Sequence, residues 1–193
     1  MKRQLAVGLL AALCASPAYA ALKPGDKAPD FTLPGSLGGK DFTFNLKDAL
    51  KKGPVVVYFY PSAYTGGCDL EAHTFAENIG KFQAAGASVI GVSADDLTRL
   101  KKFSADPSFC AGKFPIASDE STTVAKSYDL NVSPAREGAK DVNKDAINHA
   151  FIERVTYVIG KNGNVLATLS SKTDGLSPDQ HVDKSLEIIT ASK

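Results

Sequence analysis

The apolar residues of this chain alternate between short continuous runs and runs with helical spacing. Continuous runs at Val55–Tyr60, Ala87–Ser93 and Val155–Ile159 predict buried strands, because a strand covered on both faces needs no polar alternation. Between the first two runs, apolar residues recur on one face at a period near 3.6 from Cys68 to Gln83, which predicts an amphipathic helix. This alternation of strands with helices is typical of an α/β architecture.

Weaker patterns extend the alternation along the rest of the chain. The further strands predicted are Phe42–Leu46, Phe114–Ala117 and Val165–Leu169, and the further helices are Asp95–Ala105, Asp119–Tyr128 and Pro178–Thr190. The strand at 165–169 forms a hairpin with the preceding strand around residues 161–164, where an Asn-Gly pair favours a tight turn. Because hairpin strands are antiparallel, we predict a central mixed β-sheet flanked by α-helices.

Cys68 lies directly after the strand Val55–Tyr60 and in the first turn of the helix that follows. Unpaired N–H groups and the positive end of the helix dipole favour an anion at that place. Such surroundings can lower a thiol pKa from about 8.5 into the range of roughly 3.5 to 7.5. The like charges of Asp69 and Glu71 oppose this effect, so a stable thiolate requires an arginine or lysine from elsewhere in the fold.

The residues around Cys68 carry a resemblance to a known family. Pro61, Thr65 and Cys68 match the Pro-x-x-x-Thr-x-x-Cys motif, and the chain here resembles the peroxiredoxins, thiol peroxidases of the thioredoxin-like fold. It is most similar to their bacterioferritin-comigratory, Q-type group. The resemblance spans about residues 22–192 and includes the stretches Pro24–Phe31 and Phe151–Ile159.

The resemblance implies a role for four residues. In the family the cysteine, here Cys68, attacks a peroxide oxygen, and the proline, here Pro61, shields it from water. The threonine hydroxyl, here Thr65, orients the peroxide, and an arginine, here Arg154, polarises it. No cofactor is implied, and the substrates are hydrogen peroxide or alkyl hydroperoxides.

Several alternatives remain open for these residues. Arg99 or Arg136 could supply the cation, although the place of Arg154 before an apolar strand favours it. Thr65 could also cap the helix, which is compatible with orienting a peroxide. Glu71 is interpreted as a partner of the helix dipole rather than as an acid catalyst.

A second thiol is needed if the oxidised Cys68 is to form a disulfide. Many relatives carry that cysteine five positions further on, but His73 stands there in this chain. The resemblance leaves Cys110 as the candidate resolving residue, in a short turn with Asp106-Pro107 and Gly112 on either side. The alternative is that Cys110 is a small buried apolar residue and the enzyme uses one cysteine.

The first twenty residues have the pattern of a secretory signal peptide. Lys2 and Arg3 precede the apolar stretch Leu5–Leu13, which is too short to span a bilayer, and a small-residue site predicts cleavage before Ala21. A lipoprotein anchored at Cys14 and an uncleaved amphiphilic helix are alternatives. We predict export to the periplasm, with residues 21–193 as a single thioredoxin-like domain.

Composition restricts the partners of that domain. Loss of two basic residues with the signal leaves 20 of 22 against 21 acidic residues, a net charge of −1. This near-neutral balance gives no case for nucleic acid or an anionic membrane as a partner. His73, His149 and His181 show no metal-ligand spacing with the thiols, so no metal site is predicted.

One local feature departs from the family pattern and another lacks the periodicity of a helix or strand. Gly66-Gly67 stands where the family often has a proline between threonine and cysteine, which predicts a more flexible loop. The polar segment Ser133–His149 has no clear periodicity and is interpreted as a surface loop, with tolerance of insertion favoured over a functional role.

These observations favour an exported thiol peroxidase, monomeric, with Cys68 as nucleophile and a thioredoxin-like dithiol as its reductant. Two other classes stay open. A thioredoxin-like protein-disulfide oxidoreductase is disfavoured because the chain has no Cys-x-x-Cys pair. The other is a non-catalytic thioredoxin-like module with a structural Cys68–Cys110 disulfide.

Overall fold

The computed structural model describes residues 21–192. The strands are β1 (Thr32–Leu37), β2 (Lys40–Asn45), β3 (Val55–Phe59), β4 (Ser88–Ser93), β5 (Ile116–Ser118), β6 (Val132–Ser133), β7 (Phe151–Ile152), β8 (Val155–Ile159) and β9 (Val165–Ser170). The helices are α1 (Leu46–Leu50), α2 (Gly66–Ala84), α3 (Leu97–Ala105), α4 (Thr123–Ser127) and α5 (Pro178–Ala191). The predicted signal peptide lies outside the described residues and stays a prediction.

Seven strands form one sheet in the order β2-β1-β5-β4-β3-β8-β9. The central strands β3, β4 and β5 are parallel, whereas β8 and β9 are antiparallel to their neighbours. The predicted mixed sheet with flanking helices is therefore confirmed, as is the hairpin at its edge. Within residues 21–192, no helix combines the length and apolar character needed to cross a membrane.

The sheet separates two apolar clusters, and β3 contributes alternate residues to each. Val55, Val57 and Phe59 belong to the cluster that includes residues of α1 and α4. Tyr58 and its alternating neighbours belong to the cluster that includes residues of α2, α3 and α5. The second cluster contains both Cys68 and Cys110, so the two thiols lie on the same side of the sheet.

Two of the elements that differ from the sequence prediction do so for clear physical reasons. The helix predicted at Asp119–Tyr128 begins only at Thr123, because Thr122 has a φ of +56° and the Asp119 carboxylate accepts the N–H groups that begin the helix. Strand β1 was not predicted, since it contains Pro34 and Gly35. A Cβ at Gly35 would lie 2.7 Å from the Ile116 carbonyl oxygen, so glycine permits the close pairing of β1 with β5.

Candidate active site

Cys68 is the third residue of α2 and is 2% exposed. The turn from β3 to α2 ends at Thr65, whose carbonyl oxygen accepts the Cys68 N–H at 2.7 Å. The preceding residue, Tyr64, has a φ of +57°, which turns the chain sharply into the helix. This geometry places the sulfur at the helix N-terminus and inside the apolar cluster between the sheet and α2.

Arg154 supplies a cation to the Cys68 sulfur. Its Nη2 donates to Sγ at 3.1 Å, and its side chain is 11% exposed. The other two candidate arginines lie elsewhere: Arg99 pairs with carboxylates beyond the turn, and Arg136 lies over the ring of Phe151. Arg154 precedes β8, the antiparallel neighbour of β3, and the sheet therefore fixes its approach to Cys68.

Burial controls the ionisation of Cys68. It raises the pKa of the thiol above its ordinary value, while the Arg154 charge, the Thr65 hydroxyl and a backbone hydrogen bond with Ser62 lower it less. The sequence prediction of a lowered pKa is therefore wrong for this buried state, because removal of water outweighs the helix terminus and the cation. The thiolate that does form is stabilised mainly by Arg154.

Glu71 has a role that sequence reasoning missed. It is completely buried and accepts a hydrogen bond from Arg154 Nη1, so it pairs with a cation in addition to any interaction with the helix dipole that we predicted. Burial raises the pKa of Glu71 to about 7, against the lowering effects of Arg154 and of the Thr156 hydroxyl. Its position one helical turn after Cys68 was the available signal, since residues three apart share a helix face.

A buried histidine lies beyond Glu71. His181 Nδ1 is 3.9 Å from Glu71 Oε1 and 2.9 Å from the Thr156 hydroxyl, while Nε2 is 3.0 Å from the Ser171 hydroxyl. Burial, followed by the charge of Arg154, lowers the pKa of His181 to about 4, so the ring is neutral at physiological pH. It therefore adds no second charge beside the Glu71–Arg154 pair.

Thr65 and Pro61 lie in the turn that covers Cys68. The Thr65 hydroxyl donates to the Ser62 carbonyl at 2.7 Å and also acts on Cys68, where it lowers the thiol pKa. Thr65 occupies the N-cap position of α2, but its side chain makes no capping hydrogen bond. Pro61 is half-buried in the same turn.

Gly66 and Gly67 are the first two residues of α2, so the flexible loop predicted for them is wrong. A Cβ at Gly66 would meet nothing within 4 Å. A Cβ at Gly67 would lie 3.2 Å from Arg154 Nη2 and 3.4 Å from Pro178 Cγ. Glycine at 67 thus permits the close approach of Arg154 to the helix.

Cys110 is a free thiol, like Cys68, and is fully buried. It lies in the predicted turn after α3, where Ala111 and Gly112 have φ values of +50° and +65°. Burial raises the pKa of Cys110 well above its ordinary value, and the charges of Asp106 and Asp69 raise it further. Among the described residues 21–192, no cation opposes these effects in the way that Arg154 does at Cys68.

The turn that contains Cys110 is in contact with α2. His73 Nδ1 lies 3.1 Å from the Ser108 carbonyl oxygen, so the residue five positions after Cys68 touches the turn two residues before Cys110. The ring of Phe109 stacks on Phe103 and meets Tyr64 edge-on. Within the described part of the chain, no cluster of three histidine, cysteine or carboxylate residues could hold a metal ion.

Comparison with known proteins agrees with this geometry. The AhpC/TSA family model matches residues 24–168. The chloroplastic peroxiredoxin Q of Suaeda salsa is 32% identical over 170 residues, covering 88% of this chain and 69% of that protein.

Two solved structures extend the similarity to the fold. Peroxidoxin BcpB from Mycobacterium tuberculosis aligns with a TM-score of 0.73 and 31% identity, covering 89% of this chain and 99% of that one. A Xanthomonas campestris bacterioferritin comigratory protein, described for its alkyl peroxide reduction activity, aligns with a TM-score of 0.63 and 27% identity over 83% of this chain and 91% of that one. The chain belongs to the AhpC/TSA family, the peroxiredoxins, and is a thiol-dependent peroxidase.

Proposed function

We propose that this protein is an exported peroxidase that reduces hydrogen peroxide and alkyl hydroperoxides at Cys68. The observation that carries the proposal is the 3.1 Å contact between Arg154 Nη2 and Cys68 Sγ within a buried site. The alkyl peroxide activity described for the Xanthomonas campestris relative supports the wider substrate range.

The reaction balances with one thiol and one peroxide. The Cys68 thiolate attacks one peroxide oxygen, the S–O bond forms as the O–O bond breaks, and the sulfur becomes a sulfenic acid. The departing water or alcohol takes up the proton equivalent that the thiol gave up. Arg154 is positioned to stabilise negative charge on the sulfur and on the breaking O–O bond, and Glu71 fixes the guanidinium.

We further propose that Cys110 resolves the sulfenic acid. Both thiols belong to one apolar cluster that also contains Tyr58 and Tyr60, and both contribute, after burial, to the raised pKa of these two tyrosines. Because a disulfide needs the two sulfurs at about 2.05 Å, the turn around Cys110 must open first. In the folded state Ala111 and Gly112 have left-handed φ values, and their N–H groups donate to the Asp106 carbonyl at 2.9 Å and the Ser104 carbonyl at 2.8 Å, bonds that opening of the turn would break.

Replacement of the resolving thiol tests this step. In Cys110→Ser, we expect a single turnover with hydrogen peroxide to proceed at the wild-type rate, with the sulfenic acid persisting long enough to be trapped by dimedone. Steady-state turnover with a thioredoxin-like dithiol should fall by at least about tenfold, because a disulfide intermediate can no longer form. Unchanged turnover would show that the enzyme works with one cysteine.

The location and assembly of the protein complete the proposal. The signal pattern in residues 1–20 supports a periplasmic enzyme that begins at Ala21, and we propose that this enzyme is a monomer. N-terminal sequencing of protein from the periplasmic fraction, with light scattering on the same sample, measures both properties. A chain that retains Met1, or a stable dimer, would contradict this part of the proposal.

A further inference from the structure

Asp95 follows β4 and is a completely buried carboxylate. Its oxygens accept hydrogen bonds from the Ser62 hydroxyl at 2.9 Å, the Ala63 N–H at 2.9 Å and the Ser93 hydroxyl at 2.7 Å. Arg99 Nε forms an ion pair with the same carboxylate at 2.9 Å. Burial by itself would raise the pKa of Asp95, but His149, followed by the Ala63 N–H and the Ser93 hydroxyl, holds it below its ordinary value.

The groups held by Asp95 belong to the turn that covers Cys68. Ser62 and Ala63 lie between Pro61 and Thr65, and the Thr65 hydroxyl donates to the Ser62 carbonyl. Arg99 Nη2 donates to the Ala63 carbonyl at 2.8 Å, which fixes a second backbone group of the turn. The position of Thr65 above the thiol therefore depends on a carboxylate that does not itself touch Cys68.

The segment 134–150, which connects β6 to β7, packs against Asp95, Arg99 and the turn that covers Cys68. Asp141 Oδ2 accepts from Arg99 Nη2 at 2.7 Å, and the Val142 N–H donates to the Tyr64 carbonyl at 3.0 Å. His149 Nε2 lies 2.8 Å from Asp95 Oδ1 and 3.2 Å from the Ser62 hydroxyl. These contacts support a functional role for the segment, the alternative that the sequence analysis left open beside tolerance of insertion.

The hydrogen bonds of His149 require a particular protonation state. Nδ1 lies 2.8 Å from the Ala150 carbonyl oxygen, and Nε2 faces the Asp95 carboxylate, so both ring nitrogens meet an acceptor. Only the imidazolium carries a proton on each nitrogen and can donate to both. With 20% of its side chain exposed, His149 can exchange that proton with water.

The charged surroundings of His149 favour the same state. Burial lowers the pKa of the ring, but the hydrogen bond and charge of Asp95 outweigh it, so that the pKa is raised despite the opposing charge of Arg99. Three more carboxylates, those of Asp96, Glu120 and Asp145, line the cavity beside the ring together with Lys102.

We propose that His149 is a positioning residue for the peroxide reaction. Its imidazolium holds the segment 134–150 against Asp95, a contact that we call the latch, and this contact keeps the turn of Pro61 and Thr65 in place. The neutral ring can donate a hydrogen bond to only one of its two acceptors. Loss of the proton therefore weakens the latch. The inference rests on the proposed reaction of Cys68 with peroxide, and it adds a pH dependence that the thiol alone would not give.

The pH dependence of a single turnover tests the latch. The reduced protein and its His149→Gln variant are mixed with hydrogen peroxide between about pH 5 and about pH 9, and oxidation of Cys68 is followed by quenched mass spectrometry. Glutamine stands for the neutral ring, and the titration of Cys68 cancels in the ratio of the two rates. We expect wild type to be about tenfold faster at acid pH, with the ratio falling toward one at alkaline pH.

A matched variant and a second measurement separate positioning from general stability. Asp48→Asn removes an exposed ion pair remote from the site and should leave a ratio of one at every pH. Hydrogen exchange of the Val142 amide, expressed as a protection factor, should be higher in wild type than in His149→Gln at acid pH and equal at alkaline pH.

The outcomes are distinct. A ratio that stays constant across the pH range, whether at ten or at one, would overturn the latch. If wild-type Cys68 is not oxidised by peroxide at any pH, the proposed peroxidase function itself fails, whereas the Val142 exchange still reports whether the latch exists.

Discussion

Cys68 and Cys110 are both buried on the same side of the sheet, yet their surroundings differ in charge. Cys68 lies at a helix N-terminus with Arg154 Nη2 at 3.1 Å, and burial raises its pKa against that cation. Cys110 lies in a turn where burial raises the pKa well above the ordinary value and where Asp106 and Asp69 raise it further. The comparison shows that Arg154 opposes the effect of burial on the pKa of Cys68, whereas within residues 21–192 no cation opposes it at Cys110. This difference supports the proposal that Cys68 is the thiol that reacts with peroxide.

The difference also assigns an order to the two thiols. In the proposed mechanism Cys68 reacts while the protein stays folded, because Arg154 is already in contact with its sulfur. In the same mechanism Cys110 becomes a nucleophile only after its turn opens to water, since within residues 21–192 no cation opposes the raised pKa of its thiol. Oxidation should therefore begin at Cys68, and the disulfide should follow a conformational step.

The largest expected effect comes from removing the cation. In Arg154→Gln, Cys68 loses its positive partner, and we expect the rate of its oxidation by hydrogen peroxide to fall by about 10²- to 10³-fold in stopped-flow assays. Arg154→Lys keeps the charge but cannot reach Cys68 and Glu71 together, so it should recover only part of the loss. A wild-type rate in the glutamine variant would show that the two cysteines are not distinguished by this contact.

The next largest effect concerns Glu71, the carboxylate that pairs with Arg154. In the folded protein the pKa of the Glu71 carboxyl is raised from 4.5 to about 7. Between these two pH values the folded state therefore retains a proton on Glu71 that the unfolded chain has lost. Its contribution to stability is present below about pH 4.5 and disappears as the pH rises through 7, a change of about 3 kcal/mol. Glu71→Gln should remove this slope from urea unfolding measured across that range.

A carboxylate on the exposed side of the same helix gives the control for this prediction. Glu77 pairs with His73 at the surface, and Glu77→Gln should retain the wild-type dependence of unfolding free energy on pH. Parallel slopes for Glu71→Gln and wild type would contradict a raised Glu71 pKa.

A smaller effect is expected where the turn of Cys110 is anchored. Phe109 is half-buried and stacks on Phe103, so Phe109→Ala should lower the free energy of unfolding by about 2 kcal/mol. It should also speed disulfide formation several-fold, because the turn opens more readily, without changing the oxidation rate of Cys68. Slower disulfide formation would mean that Phe109 guides Cys110 rather than restrains it.

The smallest effects separate the two glycines at the start of α2. Gly67→Ala places a methyl group 3.2 Å from Arg154 Nη2, and we expect a loss of about threefold in the peroxide reaction as the guanidinium shifts. Gly66→Ala enters open space and should keep the rate while raising the melting temperature slightly through helix propensity. Equal rates for the two variants would show that Arg154 tolerates displacement.

The sequence predicted the parts of the molecule that depend on regular patterns. Continuous apolar runs located β3, β4 and β8 to within one or two residues, because fully buried strands leave a strong signal. It missed β1, since Pro34 and Gly35 normally interrupt a strand, and here the close pairing with β5 requires the glycine. The formation of β1 therefore depends on its long-range pairing with β5, which local sequence propensity does not reveal.

The candidate site likewise divides into contacts that the sequence predicts and contacts that depend on long-range packing. The motif and the place of Arg154 before a strand anticipated the contact with Cys68. The burial of Glu71 could not be deduced, because it depends on how α2 lies against β8 and α5. His149 stands in a segment without periodicity, and only the fold brings it to the Asp95 carboxylate.

The most direct test of the account is peptide-resolved mass spectrometry of the fully reduced protein after one equivalent of hydrogen peroxide, quenched at successive short times. The account expects oxygen to appear first on the Cys68 peptide and then to give way to a disulfide between Cys68 and Cys110. Oxidation that begins at Cys110, or a Cys68 peptide that remains reduced while peroxide is consumed, would contradict it.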